Sequence, residues 1–319
     1  MNVFERVMGL LRGVFGGGPP EEEQARKASD VKTGAPESEA VATTRRLPPL
    51  EKVYAVPKYL NYGQATDVGL QRSENEDALL ALSSVCESAH GLPPFALFIV
   101  ADGMGGYAGG ERASALAVET FAYHITNVAC LPILAQQQPA DDQEAMLDTL
   151  REVMRQTNLK VSEGAPGSGT TCTAAVILGS TLYMTHIGDS RAYLIHGGKV
   201  SQITRDHSVA GRLVEIGQIS PEEVRQHPER HKLYKALGKG EMQPPDLITG
   251  SLPPGAWLLL CTDGLWGPIV EAAMLKIITD APNVQAACEQ LIAAANENGG
   301  EDNITAVLVK IPAQFPDEG

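Results

Sequence analysis

Two apolar runs of this chain, 95–101 and 257–261, each lead into a carboxylate followed by glycine: Asp102-Gly103 and, after Thr262, Asp263-Gly264. A strand interior rejects an isolated Asp, because stripping water from an unpaired carboxylate costs more than one packing contact returns. The mouth of a strand accepts it, and a rigid strand presents the acid there to a hard metal ion. Glycine in the next position lets the backbone turn through positive φ and lets a main-chain carbonyl approach a ligand. One such site reads equally well as a plain Asp-Gly turn. Two of them, with further acids placed alike, favour a metal.

Those further acids sit at other strand boundaries. Glu76-Asp77 opens a strand that runs to Leu82, Asp189 occupies the tight turn between His186 and Arg191, and Asp302 precedes the run Asn303-Ile304-Thr305-Ala306-Val307. Each alone is a turn former. As a set they are carboxylates without the His and Cys ligands that zinc prefers, which points to Mn²⁺ or Mg²⁺. Two such cations bridged by a carboxylate generate hydroxide from water near neutral pH and stabilise an in-line displacement at phosphorus. Arg72, just before Glu76, can grip two phosphate oxygens with its guanidinium; a surface pair with Glu74 or Glu76 explains it equally well.

The elements that must carry these residues follow from pattern. Strands are expected over 64–70, 77–82, 95–101, 171–178, 181–187, 191–196, 199–203, 256–261 and 304–311, and helices over 109–126, 142–163, 271–280 and 284–296, with short pieces at 209–216 and 221–226. The links between the four strands from 171 to 203 are so short that they imply an antiparallel meander of all four. Hairpins with segregated helices indicate α+β architecture, sheets packed face to face under helices. No glycine-rich nucleotide loop follows a strand.

Composition narrows the function. The 319 residues carry a formal net charge of −14, which repels a nucleic-acid backbone. The cysteines Cys86, Cys130, Cys172, Cys261 and Cys288 are odd in number and widely spaced, fitting neither a disulfide framework nor a zinc site, so a reducing cytoplasm is expected. No apolar run is long enough for a membrane helix. Residues 16–50 are rich in Gly, Pro, Glu and Ala and read as a linker. The expected organisation is an N-terminal segment and linker over 1–57, one folded domain over 58–312 and a tail over 313–319.

In order, the motifs Arg72-Ser-Glu-Asn-Glu-Asp77, Val100-Ala-Asp-Gly-Met-Gly-Gly106, Gly167-Ser-Gly-Thr-Thr171, Ile187-Gly-Asp-Ser-Arg191, Thr204-Arg-Asp-His-Ser208, Cys261-Thr-Asp-Gly-Leu-Trp266 and Gly300-Glu-Asp-Asn-Ile304 resemble the metal-dependent protein phosphatases of type 2C, in their bacterial form. The resemblance runs from about residue 60 to 311 and implies a four-layer α-β-β-α sandwich with two antiparallel central sheets. It implies a serine/threonine protein phosphatase in which hydroxide held by a dinuclear centre attacks phosphorus directly, opposing a bacterial Ser/Thr kinase. By position, Asp77 and Asp102 would be ligands at the shared centre with the Gly103 carbonyl, Asp263 and Asp302 would complete the second ion's shell, and Glu76 would act through water. Arg72 would hold the substrate phosphate, Asp189 with Asp263 would make a third, weaker metal site, and 208–238 would form a flap beside the cleft. Some relatives carry His after the Asp-Gly; here Met104 cannot donate a proton, leaving a metal-bound water or, less favourably, His207 as acid. A small-phosphoester phosphatase of the same fold and a binding module without metals are the competing readings. A monomer is expected.

At the N-terminus, Val3, Phe4, Val7, Met8, Leu10, Leu11, Val14 and Phe15 recur at helical spacing, so residues 1–15 could lie on the inner membrane face or dock on a partner. A loosely ordered or self-docked helix is the favoured alternative. Deleting residues 1–20 separates them: attachment predicts loss of membrane co-sedimentation or of partner pull-down, and no change in either removes the idea.

Overall fold

The computed structural model describes residues 60–84, 94–105, 109–135, 142–240 and 243–313. The amphipathic N-terminal segment, the linker and Cys86 lie outside them. Eleven strands, β1 (Asn61–Asp67), β2 (Asp77–Ser84), β3 (Phe95–Met104), β4 (Gly169–Thr170), β5 (Cys172–Leu178), β6 (Thr181–Ile187), β7 (Arg191–His196), β8 (Lys199–Gln202), β9 (Asp246–Ser251), β10 (Trp257–Cys261) and β11 (Ile304–Lys310), make two antiparallel sheets. One runs β1-β11-β10-β7-β8; the other runs β2-β3-β5-β6-β9, with β4 added against β3.

Alternation along the central strands builds three apolar layers. Phe98 and Val100 of β3, Ile177 of β5 and Met184 of β6 meet Leu258, Leu260, Val307 and Val309 between the sheets. The opposite face of β3, Phe95, Leu97, Ile99 and Ala101, packs under the helices α1 (Gly109–Ile125) and α2 (Gln143–Gly164). Burial on both faces explains why β3 reads as an unbroken apolar run. After α3 (Val209–Glu215), three helices, α4 (Asp263–Trp266), α5 (Glu271–Asp280) and α6 (Val284–Glu297), contribute to the layer on the outer face of the other sheet. The result is the expected α-β-β-α sandwich. Local signals start the long helices: the Asp142 carboxylate accepts from the Ala145 N–H at 3.0 Å, and the Asn283 side chain accepts from Ala286 at 2.8 Å.

Three expectations need correction. The four strands from 171 to 203 are not one meander, because β5-β6 belongs to one sheet and β7-β8 to the other. The link Gly188-Asp189-Ser190 crosses between sheets instead of reversing within one. Gly188 sits at φ +108°, where L side chains are strained, and makes that corner possible. Second, β3 continues to Met104 by pairing Gly103 with Thr170 and Met104 with Gly169, so Asp102 lies inside a strand. Third, neither Gly103 nor Gly264 has positive φ. Each is needed for close approach: a Cβ on Gly103 would stand 2.2 Å from the Gly110 carbonyl oxygen, and one on Gly264 would stand 2.0 Å from that of Asn303. Pattern also missed β9, whose Asp246-Leu-Ile-Thr-Gly-Ser251 is a half-exposed edge recruited by pairing with β6.

The sheet-switching corner is braced by a buried ion pair. Arg191, 5% exposed, donates to both carboxylate oxygens of Asp206 at 2.6–3.2 Å and to the Tyr193 hydroxyl at 3.1 Å, and its guanidinium lies 3.5 Å above the Trp266 ring. Truncating one member strands the other charge in the interior. Arg191→Ala is expected to lower unfolding free energy by about 3–5 kcal/mol in denaturant titrations. The pair Arg191→Met with Asp206→Leu should recover much of that loss.

Candidate active site

Antiparallel register sets Asp77, the first residue of β2, directly opposite Asp102 of β3. Like charges in that relation repel, so the surroundings must hold them. The Thr262 hydroxyl donates to Asp77 Oδ2 at 2.8 Å and accepts from the Thr305 N–H at 3.0 Å, which ties β2 to the ends of β10 and β11 in the facing sheet. The Asp102 N–H donates to the Thr171 hydroxyl at 2.8 Å, and the Thr170 hydroxyl donates to the Asp102 carbonyl at 2.9 Å.

Glu76 is fixed through its backbone. Its N–H donates to Asn303 Oδ1 at 2.8 Å, and its carbonyl accepts from Gly103 N–H at 3.1 Å and from the Ser114 hydroxyl at 2.6 Å. Asn303 Nδ2 donates in turn to the carbonyls of Val68 and Glu74, both at 2.9 Å. One amide therefore ties the 68–76 loop to the Asp302 loop. Arg72 pairs with neither Glu74 nor Glu76: its Nη2 donates to Asp302 Oδ2 at 2.8 Å, and its side chain remains 49% exposed.

Asp263 begins α4 directly after β10, and Asp189 occupies the corner between the sheets. Trp266 connects the two, its indole N–H donating to the Asp189 carbonyl at 3.0 Å while its ring stacks under Arg191. Asp189 is buried. One oxygen of Asp263, Oδ1, is buried without any hydrogen-bond partner, and the other lies 3.2 Å from His231 Nδ1.

The electrostatics show what this assembly lacks. Burial, then the charges of Asp263 and Asp302, push the Asp77 carboxyl up to about 7, against the pull of the Thr305 and Thr262 hydroxyls. Burial and the charges of Asp263, Asp77, Asp189 and Asp302 hold Asp102 well above the ordinary carboxylate range. Asp189 is raised by burial and by Asp263 and Asp206, with Arg191 opposing. Burial also raises Glu76, against the pull of Arg72. These are mutually repelling acids with too little positive charge nearby, the condition that bound cations relieve. The orphaned Asp263 oxygen fits the same need, since a buried acceptor without a donor is costly. Among the described residues no three His, Cys, Asp or Glu side chains close around one point. The donors are carboxylates, the ligands of the hard cations Mg²⁺ and Mn²⁺, and not the His and Cys ligands of a zinc cage.

All the acids singled out from sequence thus meet along one edge of the sandwich, linked by hydrogen bonds or by mutual charge. What pattern missed is the support: Thr171, Thr262, Thr305 and Asn303, and the approach of His231. A threonine beside an Asp where an apolar strand ends, as in Cys261-Thr262-Asp263, was the available signal.

The sequence model described as Protein phosphatase 2C matches residues 73–309. The serine/threonine protein phosphatase PstP of Mycobacterium tuberculosis is 34% identical over 255 residues, covering 79% of this chain and 45% of that protein. The chain therefore spans about half the length of that relative. The crystal structure of the PPM Ser-Thr phosphatase MsPP from Mycobacterium smegmatis, in complex with cacodylate, is 36% identical with a TM-score of 0.64, covering 79% of this chain and 98% of that one. A catalytic domain of PstP in complex with two manganese ions is 32% identical with a TM-score of 0.62, covering 79% and 97%. Since the family's sequence pattern extends over most of the folded region and its solved members share this sandwich, the chain belongs to the protein phosphatase 2C family.

Proposed function

We propose that the chain is a metal-dependent serine/threonine protein phosphatase, with its catalytic domain over residues 58–312. The observation that carries this is the orphaned Asp263 oxygen beside Asp77 and Asp102, whose carboxyls are raised by burial and then by the charges of neighbouring acids. Asp77, Asp102 and the Gly103 carbonyl would hold the shared centre, Asp263 and Asp302 the second ion, Glu76 an ion-bound water, and Asp189 with Asp263 a third, weaker site. Bound there, Mn²⁺ or Mg²⁺ supplies a nucleophile from water near neutral pH and offsets charge on the phosphoryl group. The two manganese ions in the related PstP domain support that stoichiometry.

The chain's own part is positioning. Arg72, oriented by Asp302, offers the rest of its guanidinium to two phosphate oxygens. Met104 cannot protonate a leaving alkoxide. His207 is buried, its Nδ1 accepting from the Gly188 N–H at 3.1 Å at the sheet corner and its Nε2 lying 3.2 Å from Asp246 Oδ1 at the start of β9, so both nitrogens are engaged in the fold. Water in the cleft is left to supply that proton. A phosphorylated protein is the substrate, an opposing serine/threonine kinase the functional partner and the cytoplasm the compartment of this reading.

Turnover of a phosphothreonine peptide by the full chain should require Mn²⁺ or Mg²⁺ and exceed that of small phosphoesters. Asp263→Asn should cut kcat by about 100-fold or more, beyond the loss of an outer hydrogen bond to a metal ligand. Full Mn²⁺-dependent turnover by that variant would overturn the metal assignment, and no turnover by the wild type on any phosphopeptide would favour a binding module.

A pH dependence follows with definite sign. Raised carboxyls bind more protons in the folded than in the unfolded state, so the stability they contribute is present at low pH and lost as pH rises from about 4 through about 7. The thermal midpoint of chelator-treated protein should fall across that interval. The stabilisation by Mn²⁺ should be larger at pH 8 than at pH 5, and Asp102→Asn should flatten the metal-free profile.

A further inference from the structure

Four of the five side chains in the motif Thr204-Arg-Asp-His-Ser208 are buried and serve the fold. Thr204 Oγ1 accepts from the Ala192 N–H at 3.0 Å, Asp206 takes Arg191, His207 takes the Gly188 N–H, and Ser208 Oγ caps α3 by accepting from the Gly211 N–H at 3.1 Å. Arg205 is left over. Its backbone is fixed, because its carbonyl accepts from His186 Nε2 at 2.9 Å and both its sequence neighbours are buried. Its side chain is exposed and, among the described residues, its guanidinium has no hydrogen-bond or ion-pair partner.

Arg205 lines a pocket of about 660 Å³ that also takes in α3, Lys235 and the first residue of β9. Three cationic side chains, Arg205, Arg212 and Lys235, stand there against two carboxylates, Glu215 and Asp246. Arg212 is paired with Glu215, and Lys235 is held by the Pro244 carbonyl at 3.2 Å and by Asp246 Oδ1 at 3.3 Å. The unpaired Arg205 therefore gives the pocket a positive balance, on a chain whose net charge is −14.

The pocket lies close to the acids. His207 lines it, and its N–H donates to the carbonyl of Gly188, the residue before Asp189, at 2.7 Å. Lys235 follows by four residues His231, whose ring lies 3.2 Å from Asp263, so chain length alone keeps Lys235 within about 14 Å of His231. An extended peptide covers about 3.3 Å per residue, so one seated at the acids reaches the pocket with a side chain about two to five residues away.

On the phosphatase reading above, on which this rests, we propose that the pocket binds an anionic side chain of the phosphoprotein substrate, a second phosphorylated residue or an acidic one, near the residue being hydrolysed. A guanidinium grips two oxygens of a phosphate or carboxylate at once, and Arg205 gives up no partner to do so. The site selects among substrates and takes no part in the chemistry.

The test uses the full chain with Mn²⁺ and peptides carrying one phosphothreonine, with alanine, aspartate or phosphoserine placed at each offset in that range on either side. Loss of phosphate from the phosphothreonine is read by mass spectrometry. At the best offset the wild type should show kcat/KM about 3- to 10-fold above the alanine peptide, through KM, the range between an exposed ion pair and a hydrogen bond between charged groups. Added salt should shrink that gain. Arg205→Ala should abolish it and Arg205→Glu should invert it, while all three proteins turn over an aryl phosphate alike. No gain at any offset in the wild type, an equal gain in Arg205→Glu, or a matching loss on the aryl phosphate overturns the proposal. If free O-phosphoserine shifts aryl phosphate turnover by the wild type and not by Arg205→Glu, the pocket serves a free phosphorylated metabolite and the substrate role is overturned. A wild type that hydrolyses neither peptide nor aryl phosphate defeats the phosphatase reading and the pocket's role together, whereas hydrolysis without an offset preference defeats the pocket's role alone.

Discussion

Everything at this site answers to the mutual repulsion of carboxylates brought close together where water is scarce. Asp77 and Asp102 stand opposite each other in a ladder, and Asp189, Asp263 and Asp302 add their charges from loops at the same edge. In a chain already at −14, no general surplus of positive charge offsets this. The fold holds the acids with neutral groups: the Thr171 hydroxyl accepts from the Asp102 N–H, the Thr262 hydroxyl donates to Asp77, and the Asn303 amide accepts from the Glu76 N–H, which fixes position without cancelling charge. A site kept unsatisfied in this way has affinity for cations in proportion to the strain they relieve.

The two-sheet architecture makes that arrangement stable. Each sheet alone could present one or two acids, but facing sheets bring four strand ends to one edge, and the apolar layer between them fixes their spacing. The corner at Gly188 matters most, because it carries the chain from one sheet to the other and leaves Asp189 between them. Arg191, Asp206 and Trp266 clamp that corner to the Asp263 turn. A buried ion pair of this kind adds little net stability over apolar packing, so its use here is to fix geometry.

The fold was legible where period and punctuation were strong. The long helices and the apolar strands β5, β6, β10 and β11 stand within a residue or two of expectation, because one buried face imposes its period on the sequence. β1 ends at Asp67 and not at Leu70, since the Asp67 carboxylate accepts from the Gly69 N–H and closes the strand early. β4 and β9 escaped notice because they exist only through their partners: two residues held against β3, and a polar edge held against β6.

For the site, residue types pointed to the chemistry. Acids at strand boundaries, without His or Cys in ligand spacing, favoured hard cations, and seven motifs in order carried the resemblance to the family. Only the tertiary structure decided which acid faces which, that Arg72 is held by Asp302, that the Gly188 link changes sheets, and that His231 reaches Asp263. The reason is that local sequence encodes a strand's period and a turn's stereochemistry. Sheet membership and contacts between loops distant in sequence are set by how whole apolar faces pack, and no short window contains that information.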